Sequence, residues 1–381
     1  MLEEALKLLK KITEHSYDAY IVGGFVRDYI LGIESNDIDI NTNATPKQIR
    51  EIFEDSCLPS EDYGSVTVIF KGIRFEITTF RKELTYVNNR KPVEIEYINN
   101  LYEDLIRRDF TINTLCMDQD GKIIDMLEGR KDIDKRLICT VGDATGRFKE
   151  DALRILRAVR FATILDFNLS KEVIEGIKNT KNLLHNLSYY RKKEELDKIF
   201  TSPNYKNGIK LLLELGLDEE LEIPNLKKVL DSNTSSLIGI WSILNVTDKY
   251  PFNKNELELI AKINLAIKFD NSDPMNLYHY GLYVNSVAAE IKKEDIKPIT
   301  EKYAKLAIKS KKDIDINSAT IMKLLNKAPG KYLKDIYDDL EIKIINNELI
   351  NDKEEICKYI CEKYWVGGEL WKRKYITCLL Q

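Results

Sequence analysis

The stretch Tyr20-Ile-Val-Gly-Gly-Phe-Val-Arg-Asp28, followed by Asp37-Ile-Asp39, decides how the first part of the chain folds. Residues 19–22 form an apolar run that predicts a short strand, and the two glycines predict a tight turn into a helix. Helical spacing continues until Gly32, and the alternation of aspartate and isoleucine then predicts a second strand with one buried face. The stretch therefore indicates a unit in which strands and helices alternate.

The sequence around this stretch extends the same unit. Apolar spacing predicts a helix at residues 2–14, and Lys71-Gly72 predicts a hairpin between strands at residues 66–70 and 73–80. Beyond residue 149 the helical period dominates. We therefore expect an α+β fold, in which a head with a mixed sheet precedes an all-helical remainder. With 381 residues, the chain is long enough for two or three domains.

Composition excludes several classes of protein. No run approaches about 18 consecutive apolar residues, so we expect no membrane-spanning helix. The opening MLEEALKLLKK lacks the apolar block of a signal peptide, and this predicts a cytoplasmic protein. The 6 cysteines contain no Cys-x-x-Cys pair, which favours reduced thiols over a disulfide framework or a zinc site.

The charge of the chain leaves a nucleic-acid partner open. A net charge of −4 and a pI near 5.7 argue mildly against such a partner. Basic runs nevertheless occur at residues 191–193, 309–312 and 371–374, although a solvated helix face is the commoner reading of such a run. Net charge also says little about the potential inside a single groove.

The two-glycine turn is a candidate site for phosphate groups. Without side chains, Gly23 and Gly24 let backbone N–H groups approach an anion, and the start of the following helix adds positive potential. Arg27 supplies a cation on the same helix. The plainer alternative is a simple connection between a strand and a helix. Together with the acidic strand that follows, however, the turn favours nucleotidyl transfer.

That acidic strand is a candidate metal site. Asp37 and Asp39 are two residues apart, so both side chains leave the same face of a strand. Glu76 lies on the predicted hairpin, and three carboxylates converge if the two faces meet. Carboxylates side by side repel each other, and a divalent cation such as Mg²⁺ removes this conflict. Taken alone, an Asp-x-Asp is more often a solvated turn or a helix cap.

Carboxylates beside a phosphate site match the chemistry of two-metal nucleotidyl transfer. One ion lowers the pKa of an attacking hydroxyl, and the other stabilises the leaving pyrophosphate. Because this reaction needs no protein nucleophile, the small number of histidines, 3, is no obstacle. We therefore predict Asp37 and Asp39 as catalytic residues and, with Glu76, as ligands of Mg²⁺.

Four motifs in order resemble those of the class II tRNA nucleotidyltransferases, the family of CCA-adding enzymes and bacterial poly(A) polymerases. They are Tyr20-Ile-Val-Gly-Gly-Phe-Val-Arg-Asp28, Asp37-Ile-Asp39, Arg107-Arg-Asp-Phe-Thr-Ile-Asn113 and Glu150-Asp-Ala-Leu-Arg-Ile-Leu-Arg-Ala-Val-Arg-Phe161. The resemblance is weaker at Pro329-Gly-Lys-Tyr-Leu333 and Asn347-Glu-Leu-Ile-Asn351. It implies a polymerase-β-like nucleotidyltransferase head.

The resemblance also implies roles for residues at matching positions. These are triphosphate binding by Gly23, Gly24 and Arg27, sugar recognition by Arg108, Asp109 and Asn113, and base recognition by Asp151, Arg154 and Arg157. An aspartate can accept a hydrogen bond from a 2′-hydroxyl, and an asparagine can both donate and accept. The simpler alternative for Asp109 is that it caps a short helix.

Residues 149–162 read as one helix with two faces. Its apolar face, which we expect in the core, comprises Phe148, Ala152, Ile155, Leu156, Val159 and Ala162. Glu150, Asp151, Arg154 and Arg157 share another arc. They could be ion pairs on a solvated face. The family's motif instead implies that Asp151 and Arg154 form Watson–Crick-like hydrogen bonds to cytosine or adenine, so that the protein is the template.

The resemblance further implies the organisation and the activity of the chain. It places a catalytic head at residues 1–138, a helical neck for base recognition at 139–200, a helical body at 201–270 and a tRNA-binding tail at 271–381. The implied reaction adds C, C and A to the 3′ end of tRNA from CTP and ATP, without a nucleic-acid template. The expected partners are tRNA and nucleoside triphosphates, with no membrane.

The same resemblance suggests a role for each of three further segments. Residues 125–132 are similar to a hinge in which Gly129 supplies flexibility. Residues 81–101 are polar and weakly structured in this interpretation, and they match a flexible loop that is shortened in enzymes adding only CC; here it is not shortened. Residues 188–200 resemble a neck motif, but Tyr190 and Lys192 stand where glutamate and isoleucine are usual.

Three alternatives remain open at this stage. An A-adding enzyme of a split CC/A pair would carry the same motifs. A poly(A) polymerase would also do so, although that branch is usually more basic than a pI of 5.7. The non-enzymatic alternative is a tRNA-binding module with a retired active site, and the intact Asp37, Asp39 and Asp109 argue against it.

Overall fold

A computed structural model describes residues 1–58, 64–87 and 91–365. Two compact units make up the chain. The first comprises residues 1–227 and 248–251, and the second comprises residues 228–247 and those from 252 onwards. The basic run at residues 371–374 lies outside the described residues. No helix in the described ranges is long and apolar enough to cross a membrane.

Strands are confined to the first half of the described chain. They are β1 (Ala19–Val22), β2 (Asp39–Thr42), β3 (Cys57–Leu58), β4 (Ser65–Phe70), β5 (Ile73–Thr79), β6 (Arg81–Val87), β7 (Lys91–Tyr97), β8 (Cys116–Met117), β9 (Ile123–Ile124), β10 (Leu137–Ile138) and β11 (Asn168–Leu169). Within the described ranges, one sheet has seven strands in the order β3-β4-β5-β2-β1-β8-β9. Only β2 and β5 pair in parallel in it, so the mixed sheet predicted for the head is confirmed.

Helices cover this sheet and form most of the rest of the chain. In the first unit they are α1 (Leu2–Glu14), α2 (Gly24–Leu31), α3 (Pro46–Phe53), α4 (Leu101–Ile106), α5 (Gly129–Asp134), α6 (Ala144–Glu150), α7 (Leu153–Leu165), α8 (Lys171–Thr180), α9 (Tyr189–Phe200), α10 (Tyr205–Glu214) and α11 (Leu217–Glu220). Then follow α12 (Leu226–Leu230), α13 (Leu237–Leu244), α14 (Lys254–Ala266), α15 (Pro274–Lys292), α16 (Lys297–Ala304), α17 (Ser318–Leu325), α18 (Tyr332–Ile345) and α19 (Lys353–Tyr364). The predicted all-helical remainder is thus confirmed for the described residues, apart from the small strand β11.

The turn from β1 into α2 follows the sequence prediction. Gly23 has a φ of 76°, which lies in the region that side-chain-bearing residues avoid. Gly32 ends α2 with a φ of 69°, in the left-handed conformation of a helix C-terminus. The apolar side of α1, including Leu8 and Ile12, is fully buried and packs on β1. This arrangement holds the start of α2 at one end of β1.

Two predicted elements differ from the structure near the acidic and basic motifs. The acidic strand begins at Asp39, and Asp37 precedes it, so the predicted strand start is two residues early. The helix predicted for residues 149–162 is broken, because Asp151 has an extended backbone between α6 and α7. Its Oδ1 accepts a hydrogen bond from the Leu153 N–H at 2.9 Å, a local bond that competes with a continuous helix. All the apolar positions predicted for the core are nevertheless buried.

The segment expected to be weakly structured contains a β-hairpin. Strands β6 and β7 pair antiparallel, with Arg81 opposite Tyr97 and Lys82 opposite Glu96. The expectation is therefore wrong for residues 81–87 and 91–97. The alternation of apolar and polar residues in Val93-Glu-Ile-Glu-Tyr97 is the strand signal that the interpretation missed.

The predicted hinge glycine has a packing role in this structure. Gly129 opens α5, and a Cβ atom there would lie 2.3 Å from the carbonyl oxygen of Thr111. Such a distance is impossible without a shift of the backbone. Close packing thus explains the glycine in this conformation, whereas flexibility of the segment stays a prediction.

The second unit is built from packed helices. One of its cores is formed largely by isoleucines of α17, α18 and α19, such as Ile321, Ile344 and Ile360. Another joins α14 and α15 through Ile263, Val284 and Ala288. Burial of these apolar helix faces stabilises the unit.

Candidate active site

An open cavity of about 690 Å³ in the first unit contains all the predicted site residues. Its lining includes the residues predicted for the metal, Asp37, Asp39 and Glu76, and those predicted for the nucleotide, Gly23, Gly24, Arg27, Arg108, Asp109, Asn113, Asp151, Arg154 and Arg157. Residues that are more than a hundred positions apart in sequence therefore meet at one place. The lining also includes Asn41, Arg81, Arg107, Arg160 and Phe161, for which the sequence predicted no role.

The carboxylates come together because β2 and β5 pair in parallel. Asp39 lies directly opposite Glu76 in this register, and Asp37 lines the same cavity immediately before β2. Ile38 and Ile40 point into the core, so the two aspartates are exposed on the cavity side. The predicted shared face is confirmed even though the strand begins later than expected.

Electrostatics at the carboxylates favour a cation. Partial burial in the cavity, together with the charges of Asp37 and Glu76, raises the pKa of Asp39 to about 6 against the opposing effect of Arg108. Among the described residues, no group of three or more His, Cys, Asp or Glu side chains is close enough together to hold a metal ion. A hard divalent ion prefers oxygen ligands and completes its shell with water or phosphate, so two or three carboxylates suit it. The donor set therefore fits Mg²⁺.

The turn at Gly23 and Gly24 offers an anion fewer backbone N–H groups than the sequence predicted. The Gly23 N–H donates to the carbonyl oxygen of Leu115 at 3.1 Å, so it is engaged in holding the turn. The φ of 76° at Gly23 explains the absence of a side chain there, since a residue with a Cβ would be strained in this conformation. The backbone N–H groups that could bind an anion are therefore those of the first turn of α2, beginning at Gly24, where helix N–H groups lack partners within the helix.

Arg27 is buried and fixed by two neighbours. Its Nε donates to Asp28 Oδ1 at 2.8 Å, and its Nη1 donates to Asn113 Oδ1 at 2.7 Å. Asn113 in turn donates from Nδ2 to Asp109 Oδ1 at 3.1 Å. The residues predicted for the triphosphate and those predicted for the sugar thus form one hydrogen-bonded network.

Asp109 is an ionised carboxylate that is hydrogen-bonded to its neighbours. Burial alone would raise its pKa, but Arg157, together with hydrogen bonds from Asn113 and the Phe110 N–H, lowers the pKa to about 2. Arg157 donates to Oδ2 from Nε at 2.7 Å. The 3₁₀ turn at Thr111–Asn113 has no side-chain cap, so Asp109 anchors two side chains and is not a helix cap.

Arg154 is buried in the cavity wall. Its Nη1 donates to Glu150 Oε2 at 2.7 Å, and its Nη2 donates to the carbonyl oxygen of Arg107 at 3.2 Å. The predicted Glu150–Arg154 pair therefore exists, but the alternative of a solvated face is wrong. Burial raises the pKa of the neighbouring Asp151, while the Leu153 N–H and nearby arginines counteract it. A buried donor and a half-buried acceptor thus lie at the break between α6 and α7.

Phe161 is a functional candidate that sequence reasoning missed. Three guanidinium groups surround its ring, those of Arg27, Arg157 and Arg160, with their central carbons 5.2, 5.4 and 4.4 Å from the centroid. Arg160 is also held by Glu195 of α9 at 3.0 Å. The position of Phe161 at the end of the last quoted motif was the available signal. A rigid ring here keeps three cations in place.

Comparison with known proteins agrees with this geometry. Residues 19–139 match the model of the "Poly A polymerase head domain". Residues 166–229 match the "Probable RNA and SrmB- binding site of polymerase A", and residues 242–360 match "tRNA nucleotidyltransferase domain 2 putative".

Relatives match over nearly the whole chain. The CCA-adding enzyme of a Geobacillus species is 34% identical over 96% of this chain and 98% of its own length. That of Lactococcus lactis subsp. lactis is 36% identical over 93% and 95% of the two chains. The crystal structure of the Bacillus stearothermophilus CCA-adding enzyme in complex with CTP superposes with a TM-score of 0.82 and 29% identity, covering 95% of this chain and 97% of the other. The chain therefore belongs to the family of the CCA-adding enzymes, the class II tRNA nucleotidyltransferases.

Proposed function

We propose that this chain adds C, C and A to the 3′ end of tRNA, using CTP and ATP and no nucleic-acid template. The observation that carries the proposal is the single cavity that joins exposed carboxylates, the start of α2 and a buried group of arginines and aspartates. Relatives that match over nearly the whole chain are named CCA-adding enzymes, and one of them was solved with CTP.

Asp37, Asp39 and Glu76 are the residues that would hold Mg²⁺. Bound there, the metal supplies Lewis-acid chemistry to the attacking hydroxyl and to the phosphates. In the reaction, the 3′-hydroxyl of the RNA attacks the α-phosphate of the nucleotide, and pyrophosphate leaves. Arg27 and the first turn of α2 bind the triphosphate, because both present positive potential to it.

The sugar of the incoming nucleotide is recognised by Arg108, Asp109 and Asn113. The low pKa of Asp109 keeps it ionised and able only to accept hydrogen bonds, which suits a ribose hydroxyl. Asn113 is already polarised by Arg27, which donates to its side-chain oxygen. The same network that fixes these residues therefore distinguishes a ribonucleotide from a deoxyribonucleotide.

Asp151 and Arg154 select the base, and Arg157 supports them. Cytosine and adenine each present a donor beside an acceptor, which an aspartate and an arginine can match. Guanine and uracil present the opposite order and would leave buried groups unpaired at a cost of about 1–3 kcal/mol each. The contacts of Arg154 with Glu150 and the Arg107 carbonyl hold the donor in place before the base arrives.

We infer the division into head (1–138), neck (139–200), body (201–270) and tail (271–381) as part of the same proposal. It is supported by the family-model matches at 19–139, 166–229 and 242–360. The body and tail would bind tRNA by its shape and phosphates. The proposed location is the cytoplasm, where tRNA and nucleoside triphosphates are found.

Incorporation of single nucleotides tests this function. Transcripts of tRNA that end before CCA, after C and after CC are each incubated with CTP, ATP, UTP or GTP alone. We expect C on the first two substrates and A on the third. Addition of A only, with no reaction of CTP, would identify an A-adding enzyme. Repeated A addition to any RNA would identify a poly(A) polymerase, and no incorporation would identify a retired site.

A further inference from the structure

The side chain of Asp104 is a fully buried carboxylate that the proposed mechanism does not use. It lies on α4, has no exposed surface and sits behind the wall of the active-site cavity. A buried charge is costly unless it is paired, so its partners indicate what it holds in place. Those partners come from three different elements around the site.

Two of the contacts tie Asp104 to strands beside the acidic residues. Its Oδ2 accepts from Asn41 Nδ2 at 2.7 Å, and its Oδ1 lies 3.3 Å from the Arg81 backbone nitrogen. Asn41 is two residues beyond Asp39 on β2 and lines the same cavity. Arg81 begins β6, in the separate two-stranded sheet, shortly after the strand that carries Glu76. One carboxylate therefore joins α4 to the strand of Asp39 and to the start of β6.

The other contacts run to the two arginines that follow α4. Arg108 Nη2 lies 3.5 Å from Oδ2 of Asp104, and the contact with Arg107 leads on towards the base-selecting residues. Arg107 donates to Asp104 Oδ1 from Nε at 2.9 Å and from Nη2 at 2.7 Å. The backbone carbonyl of Arg107 accepts the bond from Arg154 at 3.2 Å, and that of Ile106 accepts from Arg147. Carbonyl groups at the end of a helix carry partial negative charge and attract such cations. Arg154 is thus bound by a carbonyl group at the end of α4, and Asp104 holds Arg107, the residue that carries this carbonyl group.

We propose that Asp104 is a positioning residue for base selection, which acts through Arg107 to fix the carbonyl group that holds Arg154. This inference rests on the function proposed above. Asp104 itself touches no substrate. Its role is to keep the distance between the acidic strands and the base-selecting arginine constant while different nucleotides bind.

The substitution Asp104→Asn preserves the shape of the side chain but removes its charge. The carboxylate accepts from Arg107 on one oxygen and from Asn41 on the other. An asparagine keeps the contact with Asn41 if that amide rotates to present its oxygen, but its own oxygen carries no charge for Arg107. The charge-assisted part of the Arg107 contact is then lost. We expect the end of α4 to shift and Arg154 to become less selective.

The test compares specificity constants on a tRNA that lacks CCA. For wild type, Asp104→Asn and Arg107→Lys, kcat/KM is measured with CTP and with UTP. Lysine keeps the charge of Arg107 but lacks the second donor of its fork. We expect the CTP-to-UTP ratio to fall about tenfold or more in both variants. Glu103→Gln, which makes the same chemical change one residue away, should leave the ratio unchanged.

The ratio is the decisive quantity because both constants come from one preparation, so the fraction of folded enzyme cancels. Absence of C incorporation by the wild type would refute the proposed function itself. A wild-type ratio in folded Asp104→Asn would overturn the inference while leaving the function intact. If thermal melting shows that Asp104→Asn does not fold, the ratio in Arg107→Lys decides alone.

Discussion

At the scale of single residues, the cavity pairs its arginines with acids before any substrate is bound. Arg27 is held by Asp28, Arg154 by Glu150 and Arg157 by Asp109. Groups that are already fixed lose little freedom when a nucleotide arrives, and they need not reorganise during the reaction. The exposed carboxylates Asp37, Asp39 and Glu76 differ from these arginines, since their mutual repulsion is only partly offset by Arg108.

Replacing Asp37 or Asp39 by alanine should abolish incorporation of both CTP and ATP. The reason is that two-metal chemistry loses a ligand, while the surfaces proposed to bind tRNA are untouched. Incorporation assays and filter binding of labelled tRNA measure the two properties separately. Glu34→Ala, an exposed acid three residues before Asp37, is the control and should behave as wild type. Wild-type incorporation by either aspartate variant would exclude the metal assignment.

The stabilising effect of Asp109 should depend on pH in one direction. Its folded pKa of about 2 lies below its ordinary value of 3.8, so ionisation favours the folded state. The contribution is complete above about pH 5 and is lost as the pH falls towards 2. From the size of the shift it is on the order of 2 kcal/mol.

Urea unfolding of wild type and Asp109→Asn between pH 3 and 7 measures this contribution. We expect the difference in the free energy of unfolding to be constant above pH 5 and to shrink below pH 4. A difference that stays constant down to pH 3 would show that Asp109 is not ionised against Arg157 in the folded protein.

At the scale of elements, the sequence predicted the buried faces of helices and strands better than the residues at which these elements begin and end. The apolar face of residues 149–162 is buried as expected, because burial follows spacing. The break at Asp151 was not predicted, since it depends on one side chain accepting a hydrogen bond from the backbone N–H group two residues further on. The hairpin of β6 and β7 was overlooked because its polar composition outweighed its alternation.

The residues of the candidate site likewise fall into those that local sequence patterns identify and those that only the structure identifies. Asp37, Asp39 and Arg154 were found because motifs and charge spacing single them out. Asn41 could have been found, since it shares the face of Asp39 two residues further on. Asp104 could not have been found, because the sequence does not distinguish a buried aspartate from an exposed one until its partners from distant segments are known. Sequence patterns report local periodicity, and this carboxylate is defined by long-range contacts.

Gly129→Ala tests the packing of α5 against the 3₁₀ turn at Thr111–Asn113. The new Cβ would meet the Thr111 carbonyl oxygen, so α5 or the turn that leads to Asn113 must move. We expect a loss of stability of about 1–3 kcal/mol and a higher KM for CTP. Thermal melting and initial rates measure these effects.

Gly330→Ala is the matched control for this substitution. There the nearest atoms to a new Cβ belong to the Tyr332 ring, at 3.3 Å, and a side chain can give way. Stability and KM should therefore stay near wild type. If Gly129→Ala were as harmless as the control, close packing would not be the reason for the glycine.

At the scale of the whole molecule, the cavity lies entirely within the first unit, and the second unit is helical. If the helical remainder binds tRNA through phosphates, the affinity for tRNA must fall steeply with salt, because bound counterions are released. CTP has only one triphosphate, so its affinity should fall less. The two substrates therefore separate the two kinds of binding.

Steady-state kinetics at increasing potassium chloride measure this difference. We expect the logarithm of KM for tRNA to rise several times more steeply with the logarithm of salt than that for CTP. Equal slopes would contradict phosphate-dominated tRNA binding. The measurement needs no variant and uses the full chain.

The pairing of acids with arginines also makes the electrostatics of the cavity a local property. Among the described residues that line it, seven arginines stand beside five carboxylates, and further acids such as Asp28 and Glu150 pair with these arginines. Salt screens charges more than about 10 Å away, so a polyanion at the opening experiences chiefly these residues and little of the net charge of the chain, which is −4. Surface charges elsewhere can therefore drift during evolution, and change the isoelectric point, without altering how nucleotides enter.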